Sequence, residues 1–275
     1  MRYRELAPVP ELAGVVDCLW TLETDRGEHV PEPVLPDGRP ELILHLAAPF
    51  ERLEPDGRFE RQPTLLYAGQ LTDQLLLRPS GKSAVLGVRF HPHGAAGIVD
   101  VPQYELAGRP MGLDAISAPL ARTFAMVQER ARDPLEASVL VQRALVQYVD
   151  RARLDPRIGF AVAAIGRTNG LVSIDRLAEA AEMTRRHLER RFLAAVGVPP
   201  KRLARIARFQ HALRLLGADT RRPGTDTAAA CGYADQAHFV RDFRRLAGCS
   251  PGEHLLRQGE LTGFFIERVG HRRTP

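Results

Sequence analysis

Several residue types are scarce in this sequence of 275 residues, and their scarcity excludes several kinds of protein. The three cysteines, Cys18, Cys231 and Cys249, are too scattered for a disulfide framework or a Cys-x-x-Cys metal pair, so we interpret them as reduced thiols. No apolar run approaches the length of a membrane span, and the N-terminus lacks the charged-then-apolar pattern of a signal peptide. We therefore expect a cytoplasmic protein that contacts no membrane.

Lysine is also scarce, since Lys82 and Lys201 are the only two, and arginine carries the positive charge. Residues 156–275 contain 20 arginines and Lys201 against 11 acidic residues, a net charge of +10. Residues 1–155 contain 16 arginines and Lys82 against 22 acidic residues, a net charge of −5. This asymmetry predicts a polyanionic partner for the C-terminal part, with genome composition as the alternative source of the arginine surplus.

Residues 1 to about 112 contain short apolar runs separated by turn residues, which is typical of a β-sandwich or barrel. Pro36-Asp37-Gly38 and Pro55-Asp56-Gly57 are turn signals, because proline fixes φ and glycine accepts a positive φ. The segment from Leu6 to Leu22, which contains the only tryptophan, Trp20, is predicted to begin as a short helix and continue as a strand. The other predicted strands are Glu41–Leu46, Thr64–Leu71, Gln74–Pro79 and Ser83–Phe90.

From Leu113 to Asp150 the apolar residues recur with a period of 3.6, which predicts two amphipathic helices separated near Arg132-Asp133-Pro134. These helices either cover the β domain or pair with their copies in a second subunit. The predicted apolar stripe of the first helix is Ile116, Leu120, Phe124 and Val127. The predicted stripe of the second is Leu135, Val139, Leu140, Ala144, Leu145 and Tyr148.

The stretch from Ser173 to Leu255 contains two copies of one helical motif joined by a helix predicted over Pro200–Leu216, after a first helix over Ile158–Ile165. In the first copy, Ser173 and Thr184 are candidate N-caps and Gly197 is a candidate C-terminal stop. The predicted buried residues of the second helix in each copy are Leu188, Phe192 and Ala195, and then Phe239, Phe243 and Leu246.

Basic and amide side chains lie opposite these buried stripes. Arginine pairs with guanine and glutamine with adenine through two hydrogen bonds each, and alanine leaves room for a thymine methyl group. Such helix faces suit insertion into a major groove. The outward residues are Arg185, Arg186, Glu189 and Arg190 in the first copy, and Gln236, Ala237, Val240, Arg241 and Arg244 in the second.

These residues resemble the DNA-binding domain of AraC/XylS-type bacterial transcription regulators. The resemblance rests on SIDRLAEAAEMTRRHLERRFLAAVGVPP, RLARIARFQHALRLL and GYADQAHFVRDFRRLAGCSPGEHL, which follow one another over roughly the last third of the chain. It implies two recognition helices in successive major-groove segments, and a structural or phosphate-contacting role for Arg208. The DNA-binding residues implied in this way are Thr184, Arg185, Arg186, Glu189, Arg190, Arg208, Gln236, Ala237, His238, Arg241 and Arg244.

The predicted fold class is α+β with two domains. A β-rich cupin-like barrel or sandwich with a helical connector precedes an all-α domain with two helix-turn-helix motifs. LPDGRPELILHL followed by GVRFHPHGAAGI resembles an uncharacterised cupin-like sensor subgroup of the same regulators. We place the sensor domain at residues 1–112, the connector and candidate dimerisation element at 113–155, the DNA-binding domain at 156–260 and a tail at 261–275.

One part of the second motif departs from the family pattern. Gly224 and Thr227 stand where the family usually has isoleucines in the first helix of the second copy, and Pro223 precedes them. We predict a shortened helix and a packing loss of about 1–3 kcal/mol for each missing large side chain. The second recognition helix is therefore expected to be held more loosely than the first.

The sequence contains no convincing metal or catalytic pattern. Pro92 separates His91 from His93 at a predicted strand end, and Gly94 and the residues after it replace the glutamate of a cupin metal site. We interpret His91 and His93 as part of a loop at the barrel mouth, and His45 as a satisfied core histidine. Nothing in the sequence brings together the carboxylates of Asp37, Glu41 and Asp73, and Ser80-Gly81-Lys82-Ser83 lacks the rest of a phosphate loop.

The predicted function is sequence-specific DNA binding by a transcription regulator that is not an enzyme and needs no cofactor. Its expected partners are double-stranded DNA, a small-molecule effector, a second copy of the chain and, by the family resemblance, RNA polymerase, at the nucleoid. The alternatives are a cupin-type metalloenzyme fused to a DNA-binding tail and a constitutive DNA binder without a ligand. The sequence does not identify the effector, the pocket residues, the operator or the direction of regulation.

Overall fold

The computed structural model describes residues 1–25, 30–220 and 222–256, so the predicted tail at 261–275 and the last residues of the predicted DNA-binding domain lie outside the described residues. Within these ranges, a β-rich part precedes a helical part. The predicted α+β architecture of two domains is confirmed. None of the helices described is both long and apolar enough to cross a membrane.

The β domain consists of two antiparallel sheets, one of six strands in the order β1-β2-β9-β4-β7-β10 and one of four in the order β3-β8-β5-β6. The strands are β1 (Arg2–Leu6), β2 (Val16–Thr24), β3 (Glu32–Val34), β4 (Glu41–His45), β5 (Phe50–Leu53), β6 (Phe59–Arg61), β7 (Leu65–Ala68), β8 (Leu75–Pro79), β9 (Ser83–Phe90) and β10 (Met111–Gly112).

The helices follow the last long strand. They are α1 (Ala118–Arg130), α2 (Pro134–Val146), α3 (Pro156–Arg167), α4 (Ile174–Ala180), α5 (Arg185–Val196), α6 (Pro200–Ala218), α7 (Gly224–Ala230), α8 (Gln236–Ala247) and α9 (Pro251–Leu256). Short 3-10 helices lie at Gly94–Gly97, Gln103–Glu105, Leu113–Ala115 and Arg151–Arg153.

The six-stranded sheet contributes to two apolar cores because successive side chains of a strand point to opposite faces. Leu42 and Leu44 of β4 pack in one core with Phe124 of α1 and Leu145 of α2. Ile43, between them, packs against a second core that contains Trp20 of β2, and also Phe50 of the four-stranded sheet. By the same alternation, Glu41 and His45 share the face of Ile43.

Two predicted features of the N-terminal half are wrong. The segment that begins at Leu6 does not start as a helix: Arg2–Leu6 is a strand, and turns lead from it to β2. Leu135 and Val139 were assigned to the buried stripe of α2, but they are 51% and 47% exposed. The predicted Leu145 is buried, and the predicted Leu140, Ala144 and Tyr148 are partly buried against the same core. Ala137 and Val141, which were not predicted, are also buried there.

The predicted Pro36-Asp37-Gly38 turn forms, with φ of +80° at Gly38, and it contacts the helical part directly. Gln210 Nε2 of α6 donates a hydrogen bond of 2.7 Å to the Pro36 carbonyl oxygen. Leu35 packs in one core with Phe209 of α6. An added Cβ at Gly38 would lie 2.8 Å from Leu203 Cδ1, so glycine is required by the close approach as well as by φ. The turn therefore attaches the β domain to α6.

His45 is only 4% exposed, beside the Phe50 ring, and neither of its ring nitrogens has a hydrogen-bond partner. The expectation of a satisfied core histidine was therefore wrong. Burial lowers the pKa of His45 to about 4, while the nearby Gln62 side chain acts in the opposite direction. The imidazole is consequently neutral near pH 7, with one nitrogen as a donor and the other as an acceptor.

Acidification is expected to destabilise the β domain because the unfolded chain binds a proton at His45 more readily than the folded chain does. The folded pKa is about 4 and the ordinary value is 6.5. The contribution of neutral His45 to the free energy of unfolding is thus complete above pH 6.5. It is lost as the pH falls towards 4, and the total loss is about 3 kcal/mol. Urea unfolding followed by Trp20 fluorescence at several pH values measures this loss. His45→Leu should flatten the pH dependence, and an unchanged slope in that variant would contradict the assignment.

Candidate nucleic-acid interface

The first helix-turn-helix motif consists of α4 and α5. Ser173 at the N-cap of α4 makes no side-chain hydrogen bond, so that candidate cap is not formed. Thr184 does cap α5, because its hydroxyl oxygen accepts a hydrogen bond of 3.3 Å from the His187 amide. Glu182 takes a left-handed conformation in the turn, with φ of +53°, and Gly197 ends α5 with φ of +91°, as predicted.

The second motif, α7 and α8, repeats the backbone of the first. The Tyr233 amide donates to the Ala228 carbonyl at 3.0 Å, as the Met183 amide donates to the Ala178 carbonyl at 2.9 Å in the first turn. Asp235 caps α8 by accepting a hydrogen bond of 2.6 Å from the His238 amide. The two motifs therefore present their second helices in equivalent local settings.

Apolar contacts hold both second helices in place. In α5 the buried residues are Leu188, Phe192 and Val196, whereas Ala195, which was predicted third in this stripe, is only partly buried. In α8 the predicted Phe239, Phe243 and Leu246 are all buried, and the rings of Phe239 and Phe243 meet edge to face with centroids 5.8 Å apart. The outward faces of the two helices are therefore fixed by cores beneath them.

Helix α7 begins at Gly224, directly after Pro223, and has seven residues, the same number as α4 in the first motif. Thr227 is fully buried, and its hydroxyl donates a hydrogen bond of 3.2 Å to the Pro223 carbonyl oxygen. Gly224 leaves room for the Gln236 side chain, since an added Cβ would lie 2.9 Å from Gln236 Nε2. The looser hold on α8 stays a prediction.

Helix α6 joins the two motifs and packs against α3, α5, α7 and α8. It has 19 residues, from Pro200 to Ala218, and so extends two residues beyond its predicted end. At 1.5 Å per residue its length is about 28 Å.

An ion pair between α6 and α8 was not found by the sequence reasoning. Arg205 Nε of α6 donates to Asp242 Oδ2 at 2.9 Å, and a second contact joins the same two side chains. The Asp242 side chain is 8% exposed and that of Arg205 is 22% exposed. This partly buried ion pair therefore holds α8 against α6. The position of Asp242 could have indicated this ion pair. It lies three residues after Phe239 and four before Leu246, which places a carboxylate on the buried side of α8.

The residues predicted to contact DNA are distributed as follows. On α5, Arg185, Arg186 and Arg190 are exposed, and Glu189 is partly exposed; Thr184 at the cap is exposed. On α8, Gln236, Ala237, Arg241 and Arg244 are exposed, and His238 is partly buried. The structure thus brings ten of the predicted residues to the two second helices and their caps, while Arg208 lies on α6.

Several of these side chains have partners within the chain, among them Arg185 and Arg208. Arg185 donates to Glu189 at 3.0 Å and to Asp175 of α4 at 3.1 Å, and these acidic groups raise its pKa. Arg208 is partly buried, with its guanidinium carbon 5.3 Å from the centroid of the Tyr233 ring. Arg208 thereby links α6 to the turn of the second motif, as a structural role would require.

The histidines that invited a metal interpretation lie apart from this surface. His91 Nδ1 is 3.7 Å from Asp17, and its Nε2 is 3.2 Å from the Ala13 carbonyl oxygen. His93 instead lies against α3, where an added Cβ at Gly159 would be 3.1 Å from its Nε2. Among residues 1–25, 30–220 and 222–256, no group of three or more His, Cys, Asp and Glu side chains is arranged to hold a metal ion.

Comparison with known proteins gives two family matches on this chain. Residues 177–257 match a family described as a helix-turn-helix domain. Residues 4–111 match a family described as a domain of unknown function, DUF6597. The first match begins within α4 and includes α5, α6, α7 and α8, and the second runs from within β1 to the first residue of β10.

Two curated relatives are regulators. The chain is 26% identical over 160 residues to the RCS-specific HTH-type transcriptional activator RclR of Escherichia coli (strain K12), covering 58% of this chain and 54% of RclR. It is 30% identical over 107 residues to the HTH-type transcriptional regulator MtrA of Neisseria gonorrhoeae, covering 38% of this chain and 35% of MtrA. The chain thus spans about half or less of the length of these relatives.

A solved structure also matches: a probable AraC family transcriptional regulator from Rhodopseudomonas palustris CGA009 is 28% identical, with a TM-score of 0.35, and the match covers 38% of this chain and 97% of that one. The repeat geometry and the family match over residues 177–257 agree with the resemblance found in the sequence. The C-terminal part of the chain therefore contains a helix-turn-helix domain, with the motif present twice.

Proposed function

We propose that the chain is a sequence-specific DNA-binding transcription regulator whose helices α5 and α8 enter successive segments of the major groove. The observation that carries the proposal is the repeat itself: two capped helices with exposed arginines are mounted on the single helix α6 by buried contacts. The net charge of +10 over residues 156–275 supports a polyanionic partner.

The side chains on the two helices suit different parts of base recognition. Arg186 and Arg190 lie one helical turn apart on α5, are exposed, and can each offer two hydrogen bonds to a guanine. Gln236 at the start of α8 suits an adenine, and Arg241 follows it just over one turn later. Arg185 and Glu189 bind each other, so we assign them to orienting the surface as well as to contacting bases.

Substitution at Arg190 tests this assignment. Arg190→Ala is expected to weaken binding to a selected operator by about 1–3 kcal/mol and to relax discrimination at one base position, because a bidentate base contact is lost. Arg208→Ala is expected to weaken binding to all sequences alike. The measurement is fluorescence anisotropy with the full chain on an operator obtained by in vitro selection and on random duplex, at fixed salt concentration.

The control for this experiment is Arg58→Ala, because Arg58 is an exposed arginine in the turn between β5 and β6 of the β domain. It should bind both duplexes as the unaltered chain does. Equal losses of Arg190→Ala on the operator and on random duplex would refute base recognition by Arg190. Failure of the unaltered chain to bind any selected duplex would refute the proposed function.

Further partners are part of the same proposal. The β domain is proposed to bind a small-molecule effector, and its attachment to α6 through Pro36 gives bound ligand a physical route to the DNA-binding domain. A second copy of the chain is proposed to pair through α1 and α2, where Met126, Leu135 and Val139 are exposed. RNA polymerase and a nucleoid location follow from the family resemblance alone.

A further inference from the structure

A small cavity lies between the two sheets of the β domain. Its volume is about 60 Å³, and its walls include Trp20, Ile43, Phe50, Leu77 and Val85. These side chains come from both sheets, so the cavity is lined mainly by the apolar core that the sheets share. An apolar enclosure with a few polar groups is the usual form of a small-molecule site.

His45 is the polar group of this wall with unused hydrogen-bonding capacity. Both of its ring nitrogens are buried and make no hydrogen bond of regular geometry, and the polar side chain that acts on the ring is Gln62, which also lines the cavity. Glu41, on the same face, already accepts hydrogen bonds from Trp20 Nε1 at 2.9 Å and from Arg89 Nε at 2.8 Å. Buried polar groups are almost always hydrogen-bonded in native proteins, so the His45 ring indicates a recognition site.

A wider cleft adjoins the cavity. Gln62 and Pro110 line both spaces, and the outer cleft has a volume of about 260 Å³. An apolar cavity that binds benzene measures about 150 Å³, so the inner cavity is too small for a whole ring and the rest of a ligand must extend past Gln62 into the cleft. Arg61 and Arg109 line this cleft, but they are exposed, and exposed charges contribute little to recognition.

The electrostatic setting of His45 decides the class of ligand. Burial keeps the ring neutral near pH 7, so it offers one donor and one acceptor and no positive charge. An anion placed against it would be buried without a counter-charge, which is costly, whereas a hydroxyl group can both donate and accept.

We propose that the cavity binds a small uncharged molecule, apolar except for one hydroxyl group that exchanges hydrogen bonds with His45. The role of this molecule as the effector rests on the proposed function, whereas its binding does not. Ring or chain atoms behind the hydroxyl contact Trp20 and Phe50 and extend past Gln62 towards the outer cleft.

The test compares three probes of similar shape, phenol, toluene and benzoate, on the full chain without DNA. Quenching of Trp20, the single tryptophan and a cavity wall, measures affinity, and ligand-observed NMR verifies saturation. Phenol is expected to bind about tenfold more tightly than toluene or benzoate, which is the effect of about one net hydrogen bond. His45→Leu should bind phenol and toluene within about threefold of each other, and His45→Gln, which keeps a donor and an acceptor, should retain the phenol preference.

Several outcomes would overturn the proposal. Equal affinity for phenol and toluene in the unaltered chain, retention of the phenol preference in His45→Leu, or no saturable binding would each remove His45 from recognition. Tightest binding of benzoate would assign recognition to the arginines of the outer cleft instead. Operator binding by the same preparation, measured without any probe, separates these failures from a failure of the proposed function.

Discussion

Replacing Arg89 by methionine is expected to lower the free energy of unfolding of the β domain by about 3–5 kcal/mol. The Arg89 side chain is 5% exposed, 2.8 Å from Glu41 Oε1 and 3.5 Å from Asp37 Oδ2. Methionine fills much of the same space but leaves two buried carboxylates without their cation. Breaking a buried ion pair by removing one partner costs more than the pair itself contributes, because an uncompensated charge remains.

The titration of these groups agrees with a buried cluster. Burial alone would lower the pKa of Arg89, but the adjacent Glu41 and Asp37 carboxylates raise it above its ordinary value. Burial raises the pKa of Asp37, against the opposing effect of Arg89, and Glu41 raises it further. Without Arg89, burial and Glu41 favour protonation of Asp37, and Arg39 opposes it. The variant should therefore recover part of its stability as the pH falls from 7 towards 5.

Urea unfolding followed by Trp20 fluorescence measures the loss, because Trp20 donates its indole hydrogen bond to Glu41 within the same cluster. Arg58→Met is the matched control, since Arg58 is 86% exposed and pairs only locally with Asp56. Its stability should change by less than about 0.5 kcal/mol. A loss below about 1 kcal/mol for Arg89→Met would show that Glu41 and Asp37 do not need the cation.

The Arg89 cluster also lies between the cavity and the helical part. Glu41 lines the cavity, and Asp37 belongs to the turn whose neighbour Pro36 accepts the hydrogen bond from Gln210 of α6. We therefore expect Arg89→Met to disturb operator binding as well as stability. Arg58→Met should leave operator binding unchanged, because Arg58 contacts neither the cavity nor α6.

Elements with a clear apolar period could be predicted from the sequence. Phe239, Phe243 and Leu246 repeat at helical spacing, and their burial was confirmed, as were the strand of Ser83–Phe90 and the turn at Gly38. These features depend on local spacing and backbone conformation. No distant partner is needed to specify them.

Features that depend on a distant partner were missed or misplaced. The helix α2 and part of its inward face were predicted, but Leu135 and Val139 are exposed, whereas Ala137, whose small side chain allows close packing, is buried. Alternation along β4 puts Glu41 and His45 on one face, but only the second sheet makes that face an interior one. Most of the site residues predicted on α5 and α8 are exposed, whereas the ion pair that supports α8 required knowledge of α6.

Replacing Arg205 by methionine is expected to destabilise the helical part by about 3–5 kcal/mol and to loosen α8 in particular. Asp242 is 8% exposed and its carboxylate contacts Arg205 through two hydrogen bonds, so its burial depends on that guanidinium. The cost of an unpaired buried carboxylate can be relieved if α8 moves away from α6 and exposes Asp242 to water. Recognition by Gln236 and Arg241 should then weaken more than recognition by Arg190, because α5 has its own apolar anchor in Leu188 and Phe192.

Two measurements separate this effect from a general loss of structure. Hydrogen exchange should accelerate in α8 before it does in α5, and operator variants altered in the half read by α8 should lose their discrimination first. Arg176→Met, an exposed arginine on α4, is the matched control and should change neither. Asp242→Asn should be milder than Arg205→Met, because a neutral amide can stay buried while Arg205 reaches solvent. Equal exchange in α5 and α8 of Arg205→Met would show that the ion pair does not position the second recognition helix.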